Sequence, residues 1–157
     1  MIMRSSSILL FLSLIMAIGL ASDDAAAAMG KDGKMIIVPD YVEAEKRITS
    51  GDLNGAIGLL QSTIRYYPGH ASAWNLLGYV HRRLGKFDAA EKYYDAALTV
   101  NPNHIGALNY MGQLFIQTGR PEKAKALVVR LKTACKSGCK ELDELQKAVD
   151  TGIAGKY

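Results

Sequence analysis

The strongest constraint on this chain is an internal repeat with a period of 34 residues. A shift by that period places small residues over small residues, large apolar residues over one another, and proline over proline. The superimposed sets are Ala44, Gly78 and Gly112; Gly51, Gly85 and Gly119; Ala56, Ala90 and Ala124; Leu60, Tyr94 and Val128; and Pro68 and Pro102. A fixed period of roughly 20 to 50 residues is typical of an array of stacked structural units. The repeat therefore predicts three units, residues 37–70, 71–104 and 105–138.

The middle unit has the pattern of two amphipathic helices. Its apolar and small residues recur at spacings of three and four, which places them on one face of each helix. They are Trp74, Leu77 and Gly78 in the first helix, and Phe87, Ala90, Tyr94, Ala97 and Leu98 in the second. Gly85 can adopt the positive φ that ends a helix, and Pro102 cannot continue the helix before it. The unit is therefore predicted to be a hairpin, helix A followed by helix B, with Trp74 and Tyr94 in its core.

These residues resemble the tetratricopeptide repeat pattern, position by position. His81 stands where that family usually has an aromatic residue, and the third unit has Lys136 in place of the final proline. In the first unit, Asp40 and Glu43 occupy the large-apolar positions of helix A, so that helix is expected to begin late. The resemblance implies an all-α fold, a short right-handed α-solenoid of three helix hairpins that serves as an interaction scaffold.

Residues 139–157 are predicted to close the array. A stack of hairpins leaves an apolar face open at its end, and a helix with one apolar and one polar face can cover it. The segment from Glu141 to Asp150 places Leu142, Leu145 and Val149 on one stripe and charged residues elsewhere. This pattern predicts a C-terminal capping helix, followed by a short tail.

The N-terminal residues have the layout of a secretory signal peptide. Arg4 provides a positive start, Ile8 to Leu20 is an almost unbroken apolar stretch, and Ala21 is a small residue at the expected cleavage site. Residues 1–21 are therefore predicted to be a signal peptide, and the protein to be exported, either periplasmic or secreted. The alternative is that this segment is not cleaved and serves as a signal anchor. The chain would then contact a membrane only through this segment.

The residues between the signal peptide and the first unit show no lasting periodicity. Residues 22–36 are expected to form a flexible leader. The apolar run Met35-Ile36-Ile37-Val38 ends at Pro39. Because the sequence offers no second strand to pair with it, this run is expected to pack against the first helix rather than form a strand.

The two cysteines, Cys135 and Cys139, lie close together near the end of the third unit. In an oxidising compartment, two neighbouring cysteines of a small protein most simply form a disulfide, with Gly138 in the turn between them. The competing interpretation is a redox or soft-metal site, for instance one that binds copper(I) with help from Met111. That interpretation requires reduced thiolates and further ligands.

Motifs for catalysis are absent from the sequence. It contains no nucleophile elbow, phosphate-binding loop or metalloprotease helix, so neither enzymatic activity nor a cofactor is expected. His70 and His104 are one period apart at the start of an A helix and are expected to cap those helices rather than bind a metal. Basic residues are mixed with acidic ones and the net charge is only +4, so a nucleic-acid partner is not expected.

The A helices line the concave face of a solenoid of this kind, so their exposed side chains are the candidate ligand contacts. The candidates are Asn75, Tyr79, Arg82, Asn109 and Gln113. Asn75 and Asn109 occupy equivalent positions, and an amide can both donate to and accept from an extended peptide backbone. Tyr79 offers a stacking surface, and Arg82 a fork of donors for a carboxylate.

Family members that bind the C-terminal carboxylate of chaperones use lysine, asparagine and arginine at set groove positions. Here those positions carry Tyr41, Glu45, Leu76, Gly106 and Tyr110, so the resemblance does not extend to that carboxylate clamp. The expected function is a non-catalytic adaptor that holds an extended segment of another envelope or secreted protein. The alternative is a redox or metal-handling role for Cys135 and Cys139.

Overall fold

The computed structural model describes residues 38–155. That part of the chain contains seven α-helices and no β-strand. They are α1 (Pro39–Thr49), α2 (Leu53–Tyr66), α3 (Ala71–Arg83), α4 (Phe87–Val100), α5 (Ile105–Gln117), α6 (Pro121–Ala134) and α7 (Lys140–Thr151). The predicted signal peptide (1–21), the leader (22–36) and all but the last residue of the run that ends at Val38 lie outside the described residues.

Consecutive helices pair into three hairpins, α1 with α2, α3 with α4 and α5 with α6, and α7 packs on the last of them. This arrangement confirms the predicted all-α repeat solenoid with a C-terminal capping helix. Within residues 38–155, no helix combines the length and the apolar character that crossing a bilayer requires.

Local signals of the repeat decide where the helices begin and end. Gly51, Gly85 and Gly119 follow α1, α3 and α5 with φ values of 85°, 74° and 72°, the left-handed conformation that glycine adopts without steric cost. The Nδ1 atoms of His70 and His104 accept hydrogen bonds from the amides of Ala73 and Ala107, at 3.2 and 3.1 Å. The predicted capping role of the two histidines is thus confirmed.

The first A helix begins later than the other two, as expected. By the 34-residue period, Ala71 and Ile105, where α3 and α5 begin, correspond to position 37. Helix α1 begins at Pro39, whose fixed φ suits the first turn of a helix. Asp40 lies in that first turn, where a carboxylate interacts favourably with the helix dipole. Ala44 is fully buried, and Tyr41 and Ile48 pack against the same apolar cluster, so these residues anchor the helix.

Close approach of α3 and α4 forms the centre of the core. Tyr94 is fully buried, and a Cβ atom added to Gly78 would lie 2.5 Å from its ring, so only glycine fits at this contact. Trp74 was predicted to lie in the core, but the structure places it only partly in the interior. Its side chain packs against both apolar clusters of the core. The indole Nε1 donates a hydrogen bond to the carbonyl of Pro68 at 2.8 Å, at an exposed position.

Helix α5 is buried on nearly all sides. Helices α3, α4, α6 and α7 all pack against it, and the buried positions run almost without interruption from Ala107 to Ile116. A helix that is apolar around most of its circumference belongs in a protein interior. Its two polar residues in this stretch, Asn109 and Gln113, are consequently fully buried as well.

Candidate functional site

The A helices and the capping helix line a cleft of about 500 Å³, which we call the concave groove. Each of the three repeats contributes to it. Its lining residues are Tyr41 and Glu45 from α1; Ser72, Asn75 and Leu76 from α3; Asn101 and His104 before α5; Ile105, Gly106 and Tyr110 from α5; and Glu141 from α7. The groove therefore lies on the face that the repeat architecture assigns to ligands.

The five predicted contact residues are not exposed, and that part of the prediction is wrong. Asn75, Tyr79, Arg82, Asn109 and Gln113 expose between 0% and 9% of their surface. Only Asn75 lines the concave groove. The structure therefore does not bring these five side chains together at one ligand-accessible surface.

Tyr79 and Arg82 are buried because neighbouring A helices pack side by side. The ring of Tyr79 lies 5.3 Å from that of Tyr110 on α5, and its hydroxyl accepts a hydrogen bond from Arg83 Nη1 at 2.7 Å. Arg82 Nη1 donates to Gln117 Oε1, also on α5, at 3.5 Å. Both side chains thus connect α3 to α5 rather than face a ligand.

Asn109 and Gln113 are buried because α7 and the residues after it cover the concave face of the third repeat. Asn109 Nδ2 donates to Glu144 Oε2 at 2.9 Å. Gln113 Nε2 donates to the carbonyl of Glu144 at 3.3 Å, and its Oε1 accepts from the amide of Gly155 at 2.7 Å. The C-terminal segment of the chain therefore uses the amides that sequence periodicity assigned to a partner.

Asn75 occupies the repeat position of Asn109, but it lines the concave groove. Its side chain is 6% exposed, and its Oδ1 has no hydrogen-bond partner among residues 38–155. A buried acceptor left without a donor costs about 1 to 3 kcal/mol. A ligand that placed an N–H or O–H beside this amide would recover that free energy.

Aromatic and imidazole rings hold the walls of the groove. Tyr41 and His70 are in ring contact at 4.4 Å, and Ser72 Oγ lies 3.1 Å from His104 Nε2. Burial lowers the pKa of His70 and raises the pKa of Tyr110, so both groups are neutral near pH 7. The carboxylates of Glu45 and Glu141 supply the formal charge among the lining residues, which include no lysine or arginine in the described part of the chain.

Repeat register anticipated part of this lining. Tyr41, Glu45, Leu76, Gly106 and Tyr110 occupy the clamp positions of the family pattern, and all five line the groove. Glu141 was missed, because it belongs to the capping helix and has no counterpart in the repeat. His104 was assigned only a capping role, although its ring also lines the groove.

Cys135 and Cys139 form a disulfide, as the sequence predicts, with their Cα atoms 5.7 Å apart. Cys135 is the C-cap of α6 and Cys139 the N-cap of α7, and Gly138 between them has a φ of 83°. The bond thus connects the last repeat directly to the helix that covers it. No group of three or more histidine, cysteine or acidic residues is placed to hold a metal ion within residues 38–155.

Removal of this disulfide is expected to lower the free energy of unfolding by about 2 kcal/mol, because a short closed loop restricts the unfolded chain. The Cys135→Ser, Cys139→Ser double variant should show this loss in urea denaturation followed by circular dichroism. Dithiothreitol should destabilise the wild type by a similar amount and leave the double variant unchanged. A wild-type denaturation midpoint that does not respond to the reductant would contradict the stabilising role.

Comparison with known proteins identifies the repeat. Two family models, both described as tetratricopeptide repeat, match residues 41–105 and 81–134. An uncharacterized protein of Pyropia yezoensis, ycf37, is 30% identical over 63 residues, which are 40% of this chain and 35% of that protein. The chain thus aligns with about a third of the length of that relative.

Solved structures with a similar fold include two repeat domains with bound ligands. The TPR2B domain of yeast Sti1 in complex with pHsp70 has a TM-score of 0.66 at 18% identity, over 71% of this chain and 94% of that one. The first repeat domain of Spaghetti (RPAP3), bound to the HSP90 peptide SRMEEVD, has a TM-score of 0.64 at 20% identity, over 74% and 91%. Sequence pattern, helix arrangement and family models agree: this chain belongs to the tetratricopeptide repeat family.

Proposed function

We propose that this protein is a non-catalytic adaptor that holds an extended segment of another protein in its concave groove. Tetratricopeptide repeats are protein-interaction scaffolds, and solved structures of similar fold include peptide complexes. The observation that carries the proposal is Asn75, a buried amide with an unpaired oxygen on the lining of a cleft of about 500 Å³. A peptide backbone amide would supply the missing donor.

We further propose that the protein acts outside the cytosol, in the cell envelope or after secretion. The support is the signal-peptide layout of Arg4, Ile8 to Leu20 and Ala21. A disulfide between the only two cysteines is consistent with an oxidising compartment. Fractionation of the native host, with an antibody against the protein, would test this part: recovery in the cytosol with the N-terminal segment intact would contradict it.

Asn75→Ala is expected to weaken partner binding about three- to tenfold, the effect of one lost hydrogen bond, without lowering stability. The free protein loses an unpaired acceptor rather than a bond. Pull-down of exported proteins by the tagged chain, with quantification of the captured partner by mass spectrometry, measures the change. Circular dichroism and the denaturation midpoint should match those of the wild type.

Asn109→Ala is the matched control for this experiment. It removes the same amide from the equivalent repeat position, but that amide bonds Glu144 of the capping helix rather than the groove. We expect lower stability with partner capture retained. Capture that depends on Asn109 and not on Asn75 would place the binding surface elsewhere.

A further inference from the structure

The charge of the concave groove is opposite to that of the whole chain. The protein has a net charge of +4 and a pI of about 9.0, yet the charged residues that line the groove are Glu45 and Glu141. Neither carboxylate is in an ion pair in the part of the chain that the structure describes, whereas Glu43, Glu91, Glu122 and Glu144 all are. Two carboxylates without an ion pair among the described residues therefore line a cleft that all three repeats share.

The two carboxylates enter the groove from different ends of the fold. Glu45 belongs to α1, the first A helix, and Glu141 to the first turn of α7. Lys140, the neighbour of Glu141 in sequence, is paired with Glu144 at 3.1 Å and does not line the groove. The groove thus carries negative charge from both its first and its last helix, with no cation among its lining residues to offset it.

The other lining groups also suit a cation that carries several donors. Tyr41 and Tyr110 contribute aromatic side chains to the lining, each with a ring contact to a neighbour, His70 and Tyr79 respectively. Asn75 Oδ1 is a buried acceptor without a donor, and a lysine or arginine side chain offers three to five N–H groups. A carboxylate ligand, in contrast, would meet two like charges and an unpaired acceptor.

We propose that the concave groove selects peptide segments that contain lysine or arginine, with the cationic side chain held between Glu45 and Glu141 near Asn75. This inference rests on the proposed peptide-binding function and specifies its ligand. It assigns the groove a preference opposite in sign to a clamp for C-terminal carboxylates. The partner is then a protein that presents an extended basic segment.

The test uses the full chain and a bead library of random heptapeptides with blocked ends. The fluorescently labelled wild type should recover peptides enriched in lysine and arginine. Glu45→Gln and Glu141→Gln should each weaken binding of a recovered basic peptide about three- to fivefold, as expected for exposed ion pairs, and 0.5 M salt should weaken it further. Glu122→Gln is the control, because Glu122 is an exposed carboxylate outside the groove.

A groove-filling variant, Gly106→Leu, separates the two levels of the proposal. Peptides that bind the wild type but not Gly106→Leu bind in the groove. If those peptides are acidic or apolar, or if neither glutamine substitution weakens their binding, the charge preference is overturned and the peptide-binding function stands. If the wild type and Gly106→Leu recover the same peptides, both the charge preference and peptide binding in the groove are overturned. If circular dichroism shows that Gly106→Leu is unfolded, Asn75→Ala takes its place in the comparison.

Discussion

Tyr94→Ala is expected to lower the free energy of unfolding by about 3 to 5 kcal/mol, the usual cost of removing a large aromatic side chain from a core. Tyr94 is fully buried in α4, and its ring packs directly on Gly78 of α3. Since glycine has no side chain that could move into the vacated space, the cavity stays open and the cost falls in the upper part of that range.

Urea denaturation followed by circular dichroism measures this loss by linear extrapolation. The control is Tyr66→Ala, which removes the same side chain from a position that is 72% exposed and should change the free energy of unfolding by less than about 0.5 kcal/mol. Equal denaturation midpoints for Tyr94→Ala and the wild type would refute the central role of this contact in the core.

Leu145→Ala is expected to destabilise the capping helix by about 2 to 5 kcal/mol, the range for leucine truncation in a core. Leu145 is the fully buried anchor of α7, and its side chain packs on Gly112 of α5 so closely that a Cβ atom there would collide with it. Because each unit of a solenoid contacts only its neighbours, the loss should be largest in α7 and α5 and should fade toward α1 and α2.

Native-state hydrogen exchange resolves this gradient, since it reports the opening free energy of each helix separately. Amide protection should fall in α7 and remain at its wild-type level in α1. Val129→Ala, which truncates an apolar residue of α6 that is 64% exposed, should leave all helices unchanged. A loss of protection that is uniform from α1 to α7 would show that the chain unfolds as one unit and would contradict the nearest-neighbour description.

The C-terminal segment gives the third repeat surroundings that the middle repeat does not have. Glu144 and Gly155 form hydrogen bonds with the side-chain amides of Asn109 and Gln113, whereas Asn75 in the middle repeat lines the concave groove. One copy of the repeated amide position therefore bonds the capping helix, and the other lies on the lining of the concave groove. The same polar residue type at the same register thus has two different surroundings.

Local features of the fold could be predicted from the sequence because their causes are local. The 34-residue period, the glycines after each A helix and the histidine caps depend on neighbouring residues along the chain. The disulfide joins cysteines only four residues apart, so it too depends on a single turn. The late start of the first A helix has a local cause as well, because α1 begins at Pro39, whose fixed φ suits the first turn of a helix.

The sequence could not predict in the same way which polar side chains of the A helices line the groove. Periodicity shows which face of an A helix points toward the concave side, but not what else packs on that face. Tyr79 and Arg82 are covered by α5, and Asn109 and Gln113 by α7 and the residues after it. These contacts join residues about 30 to 40 positions apart in the sequence. The residue pattern within one helix therefore does not predict them.

The sequence by itself thus determined the three hairpins, their turns, the capping helix and the family, since each follows from spacing and local backbone preference. Tertiary structure alone decided which polar residues remain available to a ligand. Asn75 and Asn109 are identical in type and repeat register, but Asn109 bonds Glu144 of α7, whereas Asn75 lies against Gly106 of α5 and lines the groove. The docking of α7 also brings Glu141 to the groove that Glu45 lines, and with it charge that the proposed basic segment would meet.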